Sequence, residues 1–398
     1  MATKFAVSAD QSASRSRDEW RQIFFDEIDS NAEFLERENA AGDDLRRLSP
    51  AVIDMLRNSD LRLLKYPAEL GGAEADNALQ FEVFERLAYY NAAASWCLFI
   101  YTDLIGRMAA FLPQEGVDML FADDLPLICG GGGMILGDLT PVEGGYRVSG
   151  RWVYGSGIDG AEWVVVTAAV KDQPGPPEII SLLVPKKDIE IIDNWHVLGM
   201  RASGSSDFTA NDVFVPEALT FRFGNQAQRG GAIFALGMIG YISHTVPATA
   251  MGIARRALDE ITGIAKAKMR GYGTRTPLAQ RGVFQAYVAE SDLKLRAARA
   301  LMIENGLRIV ADATSKGTSD PAIETEARAA GYYVTKLAVS IVDEAVRFSG
   351  SEGIRQGGRI EQALRDVHVA STHYAISDVA LESHAQFILG IEGANPMA

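Results

Sequence analysis

The feature that most constrains this 398-residue chain is a change of texture at about Leu125, reversed at Gly230-Gly231. Between those points short β-branched and aromatic runs follow one another: Gly145–Ser149, Arg151–Tyr154, Trp163–Thr167, Ile179–Val184 and Asp212–Val215. Gly, Pro and Asp clusters separate them, and no helical-period segment intervenes. A parallel sheet needs crossover helices between its strands, so this region predicts an antiparallel barrel or sandwich. Both flanks read as helical. On the N-terminal side, Trp20, Ile23, Phe24, Ile28 and Phe34 recur at helical spacing within Asp18–Glu38. Ser49-Pro50 opens a short helix, and Ala78–Phe111 reads as one long helical region. On the C-terminal side four segments, 232–270, 278–313, 321–348 and 360–390, are broken at Gly271–Gly273, Ser315–Gly317 and Gly350–Gly358. Four long segments with short breaks predict a four-helix bundle. The expected fold is mainly α with a central β-barrel, in three parts: 1–124 helical, 125–229 barrel and 230–398 bundle.

Charge and cysteine content narrow the function. Lys and Arg number 38 against 52 Asp and Glu, a net charge of −14. Such a surface repels phosphate backbones and anionic lipid, which argues against nucleic-acid and membrane partners. Cys97 and Cys129 lie in apolar runs and read as reduced, buried residues. Met1–Asp18 has no apolar signal core, and no run approaches about 18 apolar residues. The expectation is a soluble cytoplasmic protein.

Several motifs fail on context. Gly155–Gly160 matches G-x-G-x-x-G, but Ala161–Val166 after it reads as a strand, so no helix N-terminus follows to meet a pyrophosphate. Gly130–Gly133 lacks the Lys-Ser/Thr of a phosphate loop. His368 and His373, five residues apart, would point to different faces of a helix, and no metal site is expected.

Three ordered segments carry a family resemblance. They are Tyr66-Pro-Ala-Glu-Leu-Gly-Gly72; Leu198-Gly-Met-Arg-Ala-Ser-Gly-Ser-Ser-Asp207 running into Asp212–Glu217; and Arg365-Asp366, preceded by Phe348–Ile354. Together they resemble the acyl-CoA dehydrogenase superfamily from about residue 15 onward. The resemblance implies a helical N-terminal domain, a β-barrel, a C-terminal four-helix bundle and a homotetramer with flavin bound between subunits. One departure is chemical. Many family dehydrogenases place a catalytic Glu shortly after the Arg-Asp pair, where this chain reads His373-Tyr374-Ala375. Others place it early in the first bundle helix, where Gly240–Thr249 contains no acid. Abstraction of the proton alpha to a thioester needs a positioned base. The departures resemble the two-component flavin monooxygenases of the same superfamily, with oxygenase components acting on 4-hydroxyphenylacetate, dibenzothiophene and indole-type substrates.

That resemblance implies reduced flavin (FADH₂ or FMNH₂) delivered by a separate NAD(P)H:flavin reductase, O₂, a C4a-hydroperoxyflavin, and a small aromatic or heteroaromatic substrate, indole-like compounds among them. Ser156 and His373 are the candidate catalytic residues. A neutral hydroxyl holds the flavin N5 proton without removing it, and an imidazole donates to peroxide oxygens or assists substrate deprotonation. The plainer readings are a turn residue for Ser156 and a satisfied core histidine for His373, here expected on the last helix in a stripe with Val369, Ile376 and Ala380. Cofactor-binding candidates are Trp152, Ser156, Gly157, Arg201, Ser203, Arg270, Ser349 and Gly350. Trp152 also reads as barrel packing, Arg201 and Ser203 as loop closure, and Arg270 as a helix-end cation rather than the family's arginine that meets flavin phosphate across subunits. Substrate-binding candidates are Trp96, Phe99, Tyr101 and Tyr374, with plain core as the alternative for the aromatic stretch. The alternative activity is a flavin-dependent acyl-CoA dehydrogenase or oxidase.

Overall fold

The computed structural model describes residues 15–121, 124–132, 136–170, 177–222, 224–271 and 275–395. Of the segments discussed above, Met1–Ser14, Gly133 and Tyr272–Gly273 lie outside the described residues.

Among the described residues six helices come first: α1 (Arg17–Ser30), α2 (Ala32–Leu45), α3 (Pro50–Arg57), α4 (Asn77–Tyr90), α5 (Ala92–Phe111) and α6 (Gln114–Phe121). Ser49 caps α3 as its sequence implies, its Oγ accepting from the Val52 amide at 3.3 Å. The long region expected from Ala78 to Phe111 is two helices rather than one. Asn91 is extended (φ −151°, ψ 99°), and its side chain accepts from the Ala94 amide at 2.9 Å, so one asparagine both ends α4 and caps α5.

Eight strands follow: β1 (Ile128–Gly130), β2 (Gly137–Val142), β3 (Gly145–Gly155), β4 (Trp163–Val170), β5 (Ile179–Pro185), β6 (Glu190–Ile192), β7 (Ser206–Pro216) and β8 (Thr220–Arg222). They form one sheet in the order β6-β7-β3-β2-β4-β5-β8, with β1 added parallel to β4. This sheet is the β-domain expected between the helical parts; among the described residues its end strands β6 and β8 do not pair with each other. The sheet curls enough to bring β5 near β7, but three-residue edge strands present too few backbone groups to close it. The G-x-G-x-x-G stretch leads from β3 through a turn into β4, so a strand stands where a dinucleotide fold needs a helix.

The remainder is helical: α7 (Met238–Ile242), α8 (Thr245–Ala267), α9 (Gly282–Lys316), α10 (Pro321–Ser349), α11 (Arg359–Ala370) and α12 (Val379–Ile388), with a two-residue strand pair, β9 (Met269–Arg270) and β10 (Thr276–Pro277), between α8 and α9. The segment read as one helix over 360–390 is two. Ser371 Oγ and Thr372 Oγ1 bond back to the carbonyls of His368 and Val369, at 2.7 and 2.8 Å, and a bend from Ser371 to Asp378 follows. The main apolar core runs from Trp20 and Phe24 through Trp152 and Phe208 of the sheet to Val342 and Val367, with a smaller cluster of Ala110, Ile233, Phe234 and Tyr241 beside it. No helix among the described residues is long and apolar enough to cross a membrane.

The three family-like segments are joints. A Cβ on Gly72 would stand 1.9 Å from the Tyr66 carbonyl oxygen, so only glycine closes that turn. Gly199 lies against α11, where a Cβ would stand 2.1 Å from the Arg365 carbonyl oxygen. The next residue, Met200, is left-handed (φ 51°) and donates its amide to Asp366 Oδ1 at 2.5 Å. Arg365 bonds Asp43 Oδ1 and Oδ2 at 3.1 and 3.0 Å, Glu361 Oε1 at 2.6 Å and the Leu198 carbonyl at 3.2 Å. The second and third segments thus form one contact between sheet and bundle. Burial pushes the Asp366 carboxyl up to about 7, against the opposing effect of the Met200 amide.

Candidate active site

The turn after β3 places Ser156. Gly157 has φ +74°, open to glycine, and a Cβ there would stand 2.4 Å from the Tyr101 hydroxyl. Tyr101 donates to the Gly157 carbonyl at 2.6 Å, and the Gly157 amide donates to the Ser203 carbonyl at 2.8 Å. Two sequence-distant turns are thereby pinned together, and their hydroxyls meet. Ser156 Oγ lies 2.7 Å from Ser205 Oγ, which lies 2.7 Å from Ser203 Oγ. All three serines are buried. From α5, Trp96 Nε1 donates to Ser156 Oγ at 3.1 Å.

The proton count in this relay matters. Three hydroxyls carry three protons, and the two links between them use two. One proton is left at one end. If the relay runs from Ser203 towards Ser156, Ser156 presents a donor; if it runs the other way, Ser156 keeps a lone pair beside the one taken by the Trp96 N–H. The same serine can therefore accept a hydrogen bond from, or donate one to, a group placed before it.

His373 lies in the bend between α11 and α12, not on a helix as expected, because the Ser371 and Thr372 back-bonds end α11 before it. Its ring stands edge-on to Trp96 with centroids 5.6 Å apart and lies 4.6 Å from the Tyr374 ring. The Ala375 amide donates to Nδ1 at 3.3 Å, which leaves the proton of the neutral ring on Nε2, a free donor. Desolvation lowers its pKa to about 4, so the imidazole is neutral near pH 7. Among the described residues no carboxylate pairs with this ring or with the serine relay.

The other candidates separate. Phe99 packs edge-on to Trp96 at 4.9 Å and to Phe84 at 6.2 Å. Tyr101 is fully buried with its hydroxyl committed to Gly157, so it supports the turn. Tyr374 is half exposed beside His373. Trp152, a candidate for the cofactor, is wholly buried in the sheet. It stacks on Phe208 at 5.7 Å and donates Nε1 to the Thr167 carbonyl at 3.0 Å, which leaves no face for a ligand. Arg201 is partly exposed and 3.8 Å from Asp43. Arg270, Ser349 and Gly350 form a second group. Arg270 Nη2 donates to the Phe348 carbonyl at 2.9 Å, and a Cβ on Gly350 (φ +61°) would stand 2.7 Å from that nitrogen. Ser349 Oγ donates to the Val346 carbonyl of its own helix at 2.7 Å. Ser205 was not singled out by sequence; the only signal was the run Ser203-Gly-Ser-Ser206.

Unexpected, too, is a charged group at the far end of α5. Lys65 Nζ, fully buried, pairs with Asp103 Oδ1 at 2.5 Å and donates to the Tyr241 carbonyl at 3.2 Å. Desolvation lowers Lys65 to about 8. Glu324 accepts from the Gly237 and Gly240 amides at 2.6 and 3.4 Å, holding α7 in place. Asp103 and Glu324, the acids beside α7, are thus committed to structure.

Residues 244–378 match the family described as Acyl-CoA dehydrogenase, C-terminal domain. The solved structure of XiaF from Streptomyces sp. in complex with FADH₂ and glycerol superposes with a TM-score of 0.86 at 22% identity, covering 94% of this chain and 97% of that one. The bundle region thus resembles the acyl-CoA dehydrogenase family, and the fold is that of the solved structure. The chain is 26% identical over 347 residues to indole-3-acetate monooxygenase of Pseudomonas putida, covering 87% of this chain and 88% of that protein. It is 25% identical over 345 residues to the flavin-dependent monooxygenase, oxygenase subunit HsaA, of Rhodococcus jostii, covering 84% and 89%. The residues present fit a flavin. The hydroxyl relay offers a donor or an acceptor, glycine opens the backbone beside it, and Arg270 offers a guanidinium to a phosphate.

Proposed function

We infer that this chain is the oxygenase component of a two-component flavin-dependent monooxygenase, hydroxylating an aromatic or heteroaromatic compound with reduced flavin (FADH₂ or FMNH₂) and O₂. The reduced flavin comes from a separate NAD(P)H:flavin reductase. The observation that carries the reading is a serine relay and a neutral His373 that both meet Trp96, neither of them hydrogen-bonded to a carboxylate among the described residues. A dehydrogenase needs a poised base here. Asp103 is held by Lys65, Glu324 by two backbone amides and Asp366 by Met200, so the acyl-CoA alternative lacks its proton acceptor.

Reduced flavin, when bound, supplies the two electrons that let one atom of O₂ enter the substrate while the other leaves as water. The chain's residues do the rest. Trp96 holds the Ser156 oxygen in place, so that Ser156 can keep a proton at the flavin N5 without a base strong enough to remove it. His373 offers its Nε2–H to oxygen atoms, or takes a proton from the substrate, at neutral pH. Phe99 and the buried Tyr101 keep water from the turn. Gly157 opens the turn, and Arg201 and Ser203 sit on the loop that closes over it. Arg270, beside Gly350, is the guanidinium that would meet a flavin phosphate from a neighbouring subunit of a homotetramer.

The test is product analysis with isotopically labelled O₂, reduced flavin and a panel of aromatic compounds. One labelled oxygen in the product supports the reading; label-free product, or flavin reduction by an acyl-CoA, overturns it. Ser156→Ala should raise the fraction of electrons lost as hydrogen peroxide. Unchanged leakage would remove the role given to Ser156.

A further inference from the structure

One face of α5 continues inward from the serine relay. Trp96, Asp103 and Arg107 are seven and four residues apart, which places them within about 40° of one another around the axis, with Arg107 about 16 Å along it from Trp96. Helical side chains lean towards the N-terminus, so Arg107 reaches back towards Asp103 and Trp96.

Asp103 is already neutralised by Lys65. Arg107 is not. Its Nη2 donates to Met238 Sδ at 3.2 Å, and its guanidinium lies 4.4 Å from the centre of the Tyr241 ring. Neither partner bears a charge, and among the described residues no carboxylate lies within ion-pair distance of it. Several other partly buried arginines of this chain do meet carboxylates: Arg299 meets Glu82 and Glu85, Arg256 meets Glu36, and Arg365 meets Asp43 and Glu361. A second polar group at this end is also unmatched. His244 donates Nε2 to Gln80 Oε1 at 2.8 Å, because Gln80 Nε2 is taken by the Ala75 carbonyl, and its buried Nδ1 has no partner. Arg107, Asp103 and Arg328 all act electrostatically on the half-exposed Tyr374 beside His373. The stripe therefore joins the relay to a guanidinium with no carboxylate in ion-pair contact, Asp103 acting on it only at longer range.

We propose that Arg107 is a specificity-determining residue that takes the carboxylate of an aromatic acid whose ring lies towards Trp96 and Ser156. A planar guanidinium matches a carboxylate with two parallel hydrogen bonds, which a thioether and a ring face cannot supply. This rests on the monooxygenase reading, and names its substrate class: an aryl ring carrying a short acidic arm.

The experiment is ligand binding to the full-length chain, by calorimetry and by Trp fluorescence, with indole-3-acetate against tryptophol, the uncharged alcohol of nearly the same shape. The acid should bind about 10- to 100-fold more tightly. Arg107→Met should shrink that ratio by the same factor, and Arg107→Lys should keep part of it. Equal binding of acid and alcohol, no binding of the acid, or the same ratio in Arg107→Met overturns the proposal. A failure of the monooxygenase reading looks different. The acid preference would persist in a chain that puts no labelled oxygen into any aromatic compound, whereas failure of the present inference leaves hydroxylation intact and the preference absent.

Discussion

Two stretches near the end of the chain use ionisable groups in opposite ways. At Arg365–Asp366 the charges are dense and fully engaged: Arg365 meets Asp43 and Glu361, and Asp366 takes the Met200 amide. A few residues on, the neutral imidazole of His373 stands against Trp96, whose N–H reaches a relay of three serine hydroxyls. The difference teaches where this chain keeps its acids. They fasten the sheet to the bundle, while the site proposed for chemistry holds groups that exchange hydrogen bonds without removing a proton at neutral pH.

The comparison breaks most visibly at the joint. Gly199→Ala puts a methyl group 2.1 Å from the Arg365 carbonyl oxygen, and backbone cannot swing aside as a side-chain tip can. A loss of about 3 kcal/mol or more is expected in urea unfolding; a midpoint near that of the wild type would mean that the joint is loose. Arg365→Met leaves Asp43 and Glu361 facing without their cation, both side chains mostly buried. About 3 kcal/mol should go, with part restored by adding Asp43→Asn; no restoration would show that the pair is not coupled. At the site the effects are smaller. Ser156→Ala removes the acceptor of the Trp96 N–H and should cost about 1 kcal/mol, with a change in Trp fluorescence; an unaltered spectrum would deny the contact.

The finest distinction is in pH. His373 has a folded pKa lowered to about 4. Its contribution to stability is present above the unfolded value of about 6.5 and drains as pH falls from there towards 4. Asp366, raised to about 7, has the reverse sign: its contribution is full below about 4 and is lost as pH rises through 7. The two slopes oppose each other. Relative to the wild type, His373→Gln should become less stable only towards the upper end of the 4–7 window, and Asp366→Asn only towards its lower end, in pH-dependent melting. Difference curves with the same sign of slope would contradict the assignment.

Much of the architecture was legible along the chain. Alternating runs such as Trp163–Thr167 and Ile179–Val184 became strands, and Ser49-Pro50 became a capped helix start, because such patterns are satisfied within a few residues. The site was legible in pieces. Ser156 stood out by its glycine-flanked turn and His373 by its place after Arg365-Asp366. Trp152 misled, since nothing local tells an indole that packs in a sheet from one that faces a ligand. His373 was expected on a helix because Val369, Ile376 and Ala380 keep helical spacing, whereas the Ser371 and Thr372 back-bonds decide otherwise.

By itself, then, the amino-acid order determined the helix–strand–helix succession, the starts and stops made by Ser49, Asn91 and glycine, and the absence of an acid from the two places where a dehydrogenase carries one. Tertiary structure alone decided that β6 and β8 end the sheet without pairing, that Ser156, Ser203, Ser205 and Trp96 share one relay, and that Arg107 forms no ion pair among the described residues. The physical reason is range. Propensity and capping act within one or two turns of chain, but a hydrogen bond between residues 96 and 156, or the lack of an ion-pair partner for residue 107, depends on how distant segments pack.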